Sequence, residues 1–357
     1  MTRACRLYSS ALLTAALLAL TACSLVGGGD SSAGEPDAEG QPTKVVLVTH
    51  ESFALPDKLV KQFEQDTGLD LVIRASGDAG TLTNKLVLSA GNPQGDVAFG
   101  VDNTFASRAL DNDVFAPYAA AMPAGADAYA LPGDDDHRLA PVDNASVCVN
   151  VDTTWFDKQG LAPPKSLDDL TDPAYQDLFV LPGAATSSTG MAFLLATIAE
   201  YGDAWPDYWT RLMDNGAKLT AGWSDAYEVD FTQGGGKGDR PIVLSYDSSP
   251  AFTIGGDTST TRALLDTCFR QVEYAGVLAG ADNPDGAQQV IDWLLSPEVQ
   301  QQLPTSMYVF PVDSSVTLPA EWAKYAVPPA DPLTVDPAEI AKNRDEWLTT
   351  WSDVTSR

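Results

Sequence analysis

The sequence predicts an α/β fold in two lobes, each a mixed sheet covered by helices. Three observations carry that prediction. Strand-like and helix-like runs alternate from Lys44 onward, the pattern of a largely parallel sheet with helices on both faces. Two long extended runs, "LAPVDNASVCVNVD" at 139–152 and "RQVEYAGVLAG" at 270–280, are too long for ordinary strands of one small sheet and read as crossings that join the lobes. The chain beyond its N-terminal leader, roughly 310 residues, also exceeds what one small core needs.

Taken in order, "KVVLVTH" (44–50) is a β-branched strand. "PDKLVKQFEQDTG" (56–68) places apolar residues at helical spacing between Pro56 and Gly68, a start and a stop signal. "LDLVIRAS" (69–76) is a strand, "AGTLTNKLVLSAG" (79–91) a helix, "DVAFG" (96–100) a short buried strand and "NTFASRALDNDVF" (103–115) a helix. A passage rich in Pro, Ala and Gly (117–133) separates these from the first crossing. Helices follow at 190–202 and 205–215, strands near 217–221 and at "PIVLSY" (241–246). After the second crossing comes one long amphipathic helix, "PDGAQQVIDWLLSPEVQQQL" (284–303). Trp205 with Trp209, and Trp347 with Trp351, lie four apart and are read as core faces. "GGGKGD" (234–239) lacks Ser or Thr after Lys237 and does not join a buried strand to an apolar helix, so it reads as a flexible hairpin loop rather than a phosphate loop. These elements divide the chain into lobe 1 (44–148), lobe 2 (149–271), and a return to lobe 1 with C-terminal helices (272–357).

Residues 1–22 have the form of a signal peptide, with Arg3 and Arg6, an apolar run from Ala11 to Leu20, and small residues after it. Leu20-Thr21-Ala22-Cys23 has the pattern of a lipobox, with Cys23 as the lipid-bearing residue; cleavage nearby without lipidation is the alternative. Residues 23–43 are Gly, Ser, Pro and acid, with too little apolar surface to offset their chain entropy, and read as a flexible tether. The signal peptide and lipobox point to an extracytoplasmic protein anchored to the cell membrane by its N-terminal lipid. Its formal charge is −28, from 49 acidic and 21 basic residues. Such a field repels phosphate backbones and argues against nucleic acid as a partner; it suits a cationic ligand, or serves solubility alone. Cys148 and Cys268 remain as a pair in an oxidising compartment, either bridged or two separate buried thiols.

In open α/β sheets, ligands bind beyond the carboxyl ends of the strands. The loops there, "THESF", "FGVDNTF", "ATSSTG", "GWSDAY", "LSYDSSPAF" and "LPTSMYVFPV", follow the order and approximate spacing found in the thiamine-binding proteins of ABC importers, within a wider group of iron, polyamine and thiamine binders. The chain resembles that family over most of residues 44–315, most specifically in "GWSDAY" followed by "LSYDSSPA". The resemblance implies a type II periplasmic-binding-protein fold that closes about a hinge. It implies a monomer without cofactor or metal that captures thiamine, or its phosphate esters, for a permease and its ATPase. Trp223 and Tyr246 would be aromatic walls, Asp102 a polar contact, and Ser187 and Ser188 part of a phosphate end. Glu51, Ser52, Asn103, Thr189, Gly190, Tyr227, Ser248 and Tyr308 complete the expected ligand-binding set. The chain departs from the family at His50 and Glu51, where Tyr and Asp are usual, at Thr189 for a proline, and at Tyr308 for a tryptophan.

The residues support this reading independently. A thiazolium is a permanent cation, and aromatic faces attract it by roughly 1–2 kcal/mol each when water is excluded. Micromolar to nanomolar capture needs about 8–12 kcal/mol, so two rings are insufficient without burial of the whole ligand and a balancing carboxylate. Ordinary core packing is the competing explanation for Trp223 and Tyr246, and a plain helix cap for Thr186–Gly190. Among binders, a polyamine receptor would want several carboxylates along a groove, and a ferric receptor a convergent oxygen and imidazole set that the sequence does not suggest. A glycosidase with paired acids is a third class. A serine or cysteine triad has little support, with only His50 and His137 and no Gly-x-Ser-x-Gly.

Overall fold

A computed structural model describes residues 43–356; the signal peptide, Cys23 and all of the tether except Thr43 lie outside the described residues. The first part of the chain runs β1 (Thr43–Thr49), α1 (Asp57–Thr67), β2 (Leu69–Ala75), α2 (Ala79–Leu88), β3 (Val97–Asp102), α3 (Ala106–Asp111) and β4 (Phe115–Ala116). The strand β5 (Ala140–Asp152) leads to α4 (Thr153–Gln159), β6 (Phe179–Pro182), α5 (Ser188–Tyr201), α6 (Trp205–Asp214), β7 (Lys218–Thr220) and β8 (Ile242–Tyr246). The short strands β9 (Ile254–Gly255), β10 (Thr258–Ser259) and β11 (Thr261–Ala263) precede β12 (Phe269–Leu278). The remainder is α7 (Pro284–Leu294), α8 (Pro297–Gln300), α9 (Leu303–Ser306), β13 (Phe310–Pro311), α10 (Ala320–Tyr325) and α11 (Pro337–Thr355).

One mixed sheet carries the architecture, in the order β2-β1-β3-β12-β5-β8-β6-β7. Parallel β2, β1 and β3 form one half, and parallel β8, β6 and β7 the other. The two crossings expected from sequence are β5 and β12, antiparallel to each other from Ala140/Ala275 to Val147/Phe269. Beyond that point β5 pairs with β8, from Val147/Tyr246 to Val151/Ile242. All thirteen residues of β5 are buried, which explains its apolar and small-residue composition. Cys148 and Cys268 are joined by a disulfide, with Cα atoms 4.2 Å apart, which ties β5 to the residue just before β12.

Local signals account for the helix limits. Gly68 ends α1 at φ 71°, its N–H donating to the Glu64 carbonyl. The single helix expected at 284–303 is instead broken into α7 and α8, with α9 starting only at Leu303. Ser296 caps α8 through the Val299 N–H, and Pro297 cannot continue α7, so the chain turns there. The helix expected at 103–115 is shortened to α3 because Asp102 and Asn103 make other bonds, described below.

Trp205, Trp209 and Trp351 are buried and Trp347 packs at the edge of the same core. Trp209 meets Trp351 edge to face, with centroids 5.7 Å apart. Through these contacts α11 packs on α6, and it also touches α3, where the Arg344 guanidinium lies 4.8 Å from the Phe105 ring centroid. No described helix is long and apolar enough to cross a membrane.

Candidate ligand-binding cleft

The carboxyl ends of β1, β2, β6, β7 and β8 face a common cleft, and each hands the chain to a loop that builds it. At the end of β1, His50 packs onto Gly100, where φ is +97° and any Cβ would lie 2.2 Å from the His50 ring; glycine is therefore required at 100. His50 Nε2 lies 3.5 Å from Glu273 Oε1 of β12. Burial pushes the imidazole down to about 4, so it is neutral at pH 7.

Asp78 joins the two halves of the sheet. Its Oδ1 accepts from the Ala79 N–H at 2.6 Å, capping α2, while Oδ2 accepts from the Trp223 N–H at 2.8 Å. The neighbouring Thr81 N–H donates to the Thr186 carbonyl at 3.1 Å. Gly80 approaches the Thr186 backbone so closely that a Cβ would sit 2.6 Å from it. Helix α2 is thus fastened to the loops after β6 and β7. Burial raises the Asp78 carboxyl above its ordinary value, and its hydrogen bonds partly offset this.

Five aromatic rings form a row along the cleft. Trp223 stacks on Tyr227 with centroids 4.9 Å apart at 13°, and lies 6.2 Å from Tyr246. Tyr227 meets Phe252 at 6.0 Å, and Phe252 meets Tyr308 edge to face at 5.0 Å. The Trp223 indole N–H donates to Ser245 Oγ at 2.9 Å, which fixes the ring plane. Tyr227 sits in a π-helical turn, Asp225–Asp230, a local widening of the kind often found at functional sites. Tyr308 holds φ at +56°, a strained conformation for a bulky residue, and its carbonyl accepts from the Ser248 hydroxyl.

These groups enclose a cavity of about 550 Å³, within the range of small-molecule sites. Trp223, Tyr227, Tyr246 and Tyr308 line it, as do Ser52 and Ser188. Other expected residues lie elsewhere. Asp102 does not line the cavity: it is fully buried, and Oδ1 accepts from the Thr104 N–H, the Thr104 hydroxyl and the Phe105 N–H. Asn103 bonds the β12 backbone at Val272 and Arg270. Ser187 and Thr189 bond each other through their hydroxyls, Gly190 packs on the Gly183 carbonyl, and Glu51 reaches only the rim near Gly222. Ser248 acts through Tyr308.

Sequence reasoning missed Asp78, Glu273 and Phe252, all of which line the cavity. It also missed the role of Gly234–Gly236. That segment lines the cavity because it lies against the π-helical turn; a Cβ on Gly234 would fall 1.6 Å from the Tyr227 carbonyl oxygen. Asp78 carried a readable cap signal before α2, but Glu273 had none beyond an acid inside an apolar strand.

A cavity with aromatic walls and buried carboxyls suits a flat cation. Among the described residues, no three His, Cys, Asp or Glu side chains converge to hold a metal ion. Residues 58–329 match the family described as bacterial extracellular solute-binding protein. The chain belongs to that family. As a bacterial extracellular solute-binding protein it binds and delivers rather than catalyses. Among its relatives is the thiamine-binding periplasmic protein of Escherichia coli (strain K12), 32% identical over 322 residues, covering 88% of this chain and 94% of the relative. The protein of that name from Brucella melitensis biotype 1 is 31% identical over 327 residues, covering 88% and 92%. A solved periplasmic thiamin binding protein superposes with a TM-score of 0.79 at 31% identity, over 90% of this chain and 99% of that one. Iron-bound HitA from Pseudomonas aeruginosa shares the fold at TM-score 0.68, with 20% identity over 88% of this chain and 99% of that one. The type II periplasmic-binding fold expected from sequence is therefore the observed one.

Proposed function

We propose that this chain is an extracytoplasmic receptor that captures thiamine in the cleft and delivers it to an ABC permease and its ATPase. The observation that carries the reading is the row of rings lining one cavity together with the buried carboxyls of Asp78 and Glu273, in a chain whose relatives bear the name thiamine-binding. Trp223 and Tyr246 offer faces to the cation, and Asp78 and Glu273 supply the acidic floor. Cys23 carries the lipid that holds the receptor at the membrane, and the receptor acts as a monomer whose lobes, 44–148 with 272–357 and 149–271, close about β5 and β12. Phosphate esters reach the N-terminus of α5. There they compete with the Asp78 carboxylate for the donors of Ser187 and Ser188.

Tryptophan fluorescence tests the reading. Thiamine is expected to quench emission saturably, with micromolar or tighter affinity, while spermidine leaves it unchanged. Quenching by spermidine and none by thiamine would overturn the vitamin in favour of a polyamine. The mono- and diphosphates, titrated alongside, rank the ester forms.

A further inference from the structure

At the floor of the cleft Glu273 stands beside a second acid, Asp143, with no described Lys or Arg to balance the two. Asp143 of β5 and Glu273 of β12 are direct cross-strand partners, 0% and 7% exposed. As direct cross-strand partners they place their carboxyls side by side on one face of the sheet, and no hydrogen-bond donor among the described residues reaches either oxygen of Asp143. Two carboxylates cannot bond each other, because both are acceptors; the contact requires a proton between them. Every neighbouring element adds an acid or a neutral group. His50 follows β1 and is neutral, Asp102 ends β3, Asp78 caps α2, and Tyr246 ends β8. No described Lys or Arg pairs with either carboxyl. Glu273 lines the cavity, whereas Asp143 does not.

We propose that Asp143 and Glu273 share one proton in the empty receptor and release it to solvent when the ligand cation enters, so that capture exchanges a cation for a proton. The proposal rests on the thiamine reading. A thiazolium carries its charge without a proton to lose. Its arrival beside Glu273 stabilises the doubly ionised pair, the shared O–H bond breaks, and the net charge of the site stays constant. The acidic floor therefore avoids holding two unbalanced charges while empty, yet offers both to the ligand. Burial and the neighbouring carboxyl hold the pair above the ordinary carboxylate range, so the exchange operates near neutral pH.

The test is calorimetric titration of the mature protein with thiamine near neutral pH, in buffers of different ionisation enthalpy. The expected result is release of about one proton per thiamine, and an affinity that tightens by up to about tenfold per unit of rising pH while the pair holds its proton. In Asp143→Asn the amide donates to Glu273 without a titrating proton, so release is expected to fall close to zero and the pH dependence to flatten. Thiamine binding with no proton released by the wild-type protein would overturn the exchange and leave the receptor reading intact. Unchanged release in a folded Asp143→Asn would also overturn it, by placing the proton elsewhere. Absence of any thiamine heat would remove the reading and the exchange together.

Discussion

Trp223 is held at three points: its backbone N–H on Asp78, its indole N–H on Ser245, and its ring on Tyr227. The ring is consequently placed before any ligand arrives, and little conformational freedom is lost on binding. Trp223→Ala removes one cation-attracting face and the stack that orients a second. Thiamine affinity measured by calorimetry is expected to fall by about 30-fold or more, the equivalent of roughly 2 kcal/mol. Unchanged affinity would place the ligand outside this row of rings. "GWSDAY" made Trp223 and Tyr227 legible in the sequence, because aromatics at a strand end have a small set of uses. The acid was not so legible. Asp102 and Asp78 both follow extended runs, and only the fold reveals that Asp102 turns back on its own loop while Asp78 reaches a residue 145 positions away.

At the scale of elements, β5 and β12 matter most, since together they join the two halves of the sheet, β12 pairing with β3 on one side and β5 with β8 on the other. The Cys148–Cys268 disulfide joins them across a sequence separation of 120, which in the chain-entropy account stabilises the fold by up to about 5 kcal/mol. The paired substitution Cys148→Ser with Cys268→Ser is expected to lower the thermal midpoint by several degrees or more while thiamine titration stays measurable. An unchanged midpoint would show that neighbouring packing already restrains these strands. The crossing strands were visible in sequence as unusually long extended runs. The break between α7 and α8 within 284–303 was not, because the apolar periodicity continues through Ser296-Pro297 while the backbone cannot. The glycine segment at 234–236 was likewise opaque: its composition says that side chains are unwelcome, but not that the obstacle is the Tyr227 carbonyl.

Across the whole molecule, burial of acids makes stability depend on pH in a definite direction. Asp247 is pushed up to about 7 by burial, and Asp143 and Glu273 are raised as well. A carboxyl with a raised folded value binds a proton that the unfolded chain has released. Its contribution is fully present below the unfolded value and is lost as pH rises through the folded one. His50, lowered to about 4, acts oppositely, contributing above its unfolded value and losing that contribution as pH falls. One imidazole is outweighed by these acids, so the empty protein is expected to lose stability between about pH 5 and 8. Thermal unfolding across that range measures it. Repulsion within a chain of charge −28 acts in the same sense. Asp247→Asn separates the two, since it removes one buried titration and should flatten the decline; an equal slope would assign the effect to the surface.

The sequence by itself determined the strand and helix alternation, the crossing strands, the tryptophan-bearing core faces and the aromatic loops. Each of those is written in local periodicity or in residue types with few alternative uses. Only the tertiary structure decided which carboxyls reach the cleft, that Asp78 bridges the two halves, and that Asp143 meets Glu273. Those depend on the register of β5 against β12 and on the approach of α2 to the loops after β6 and β7, long-range relations that no local pattern encodes.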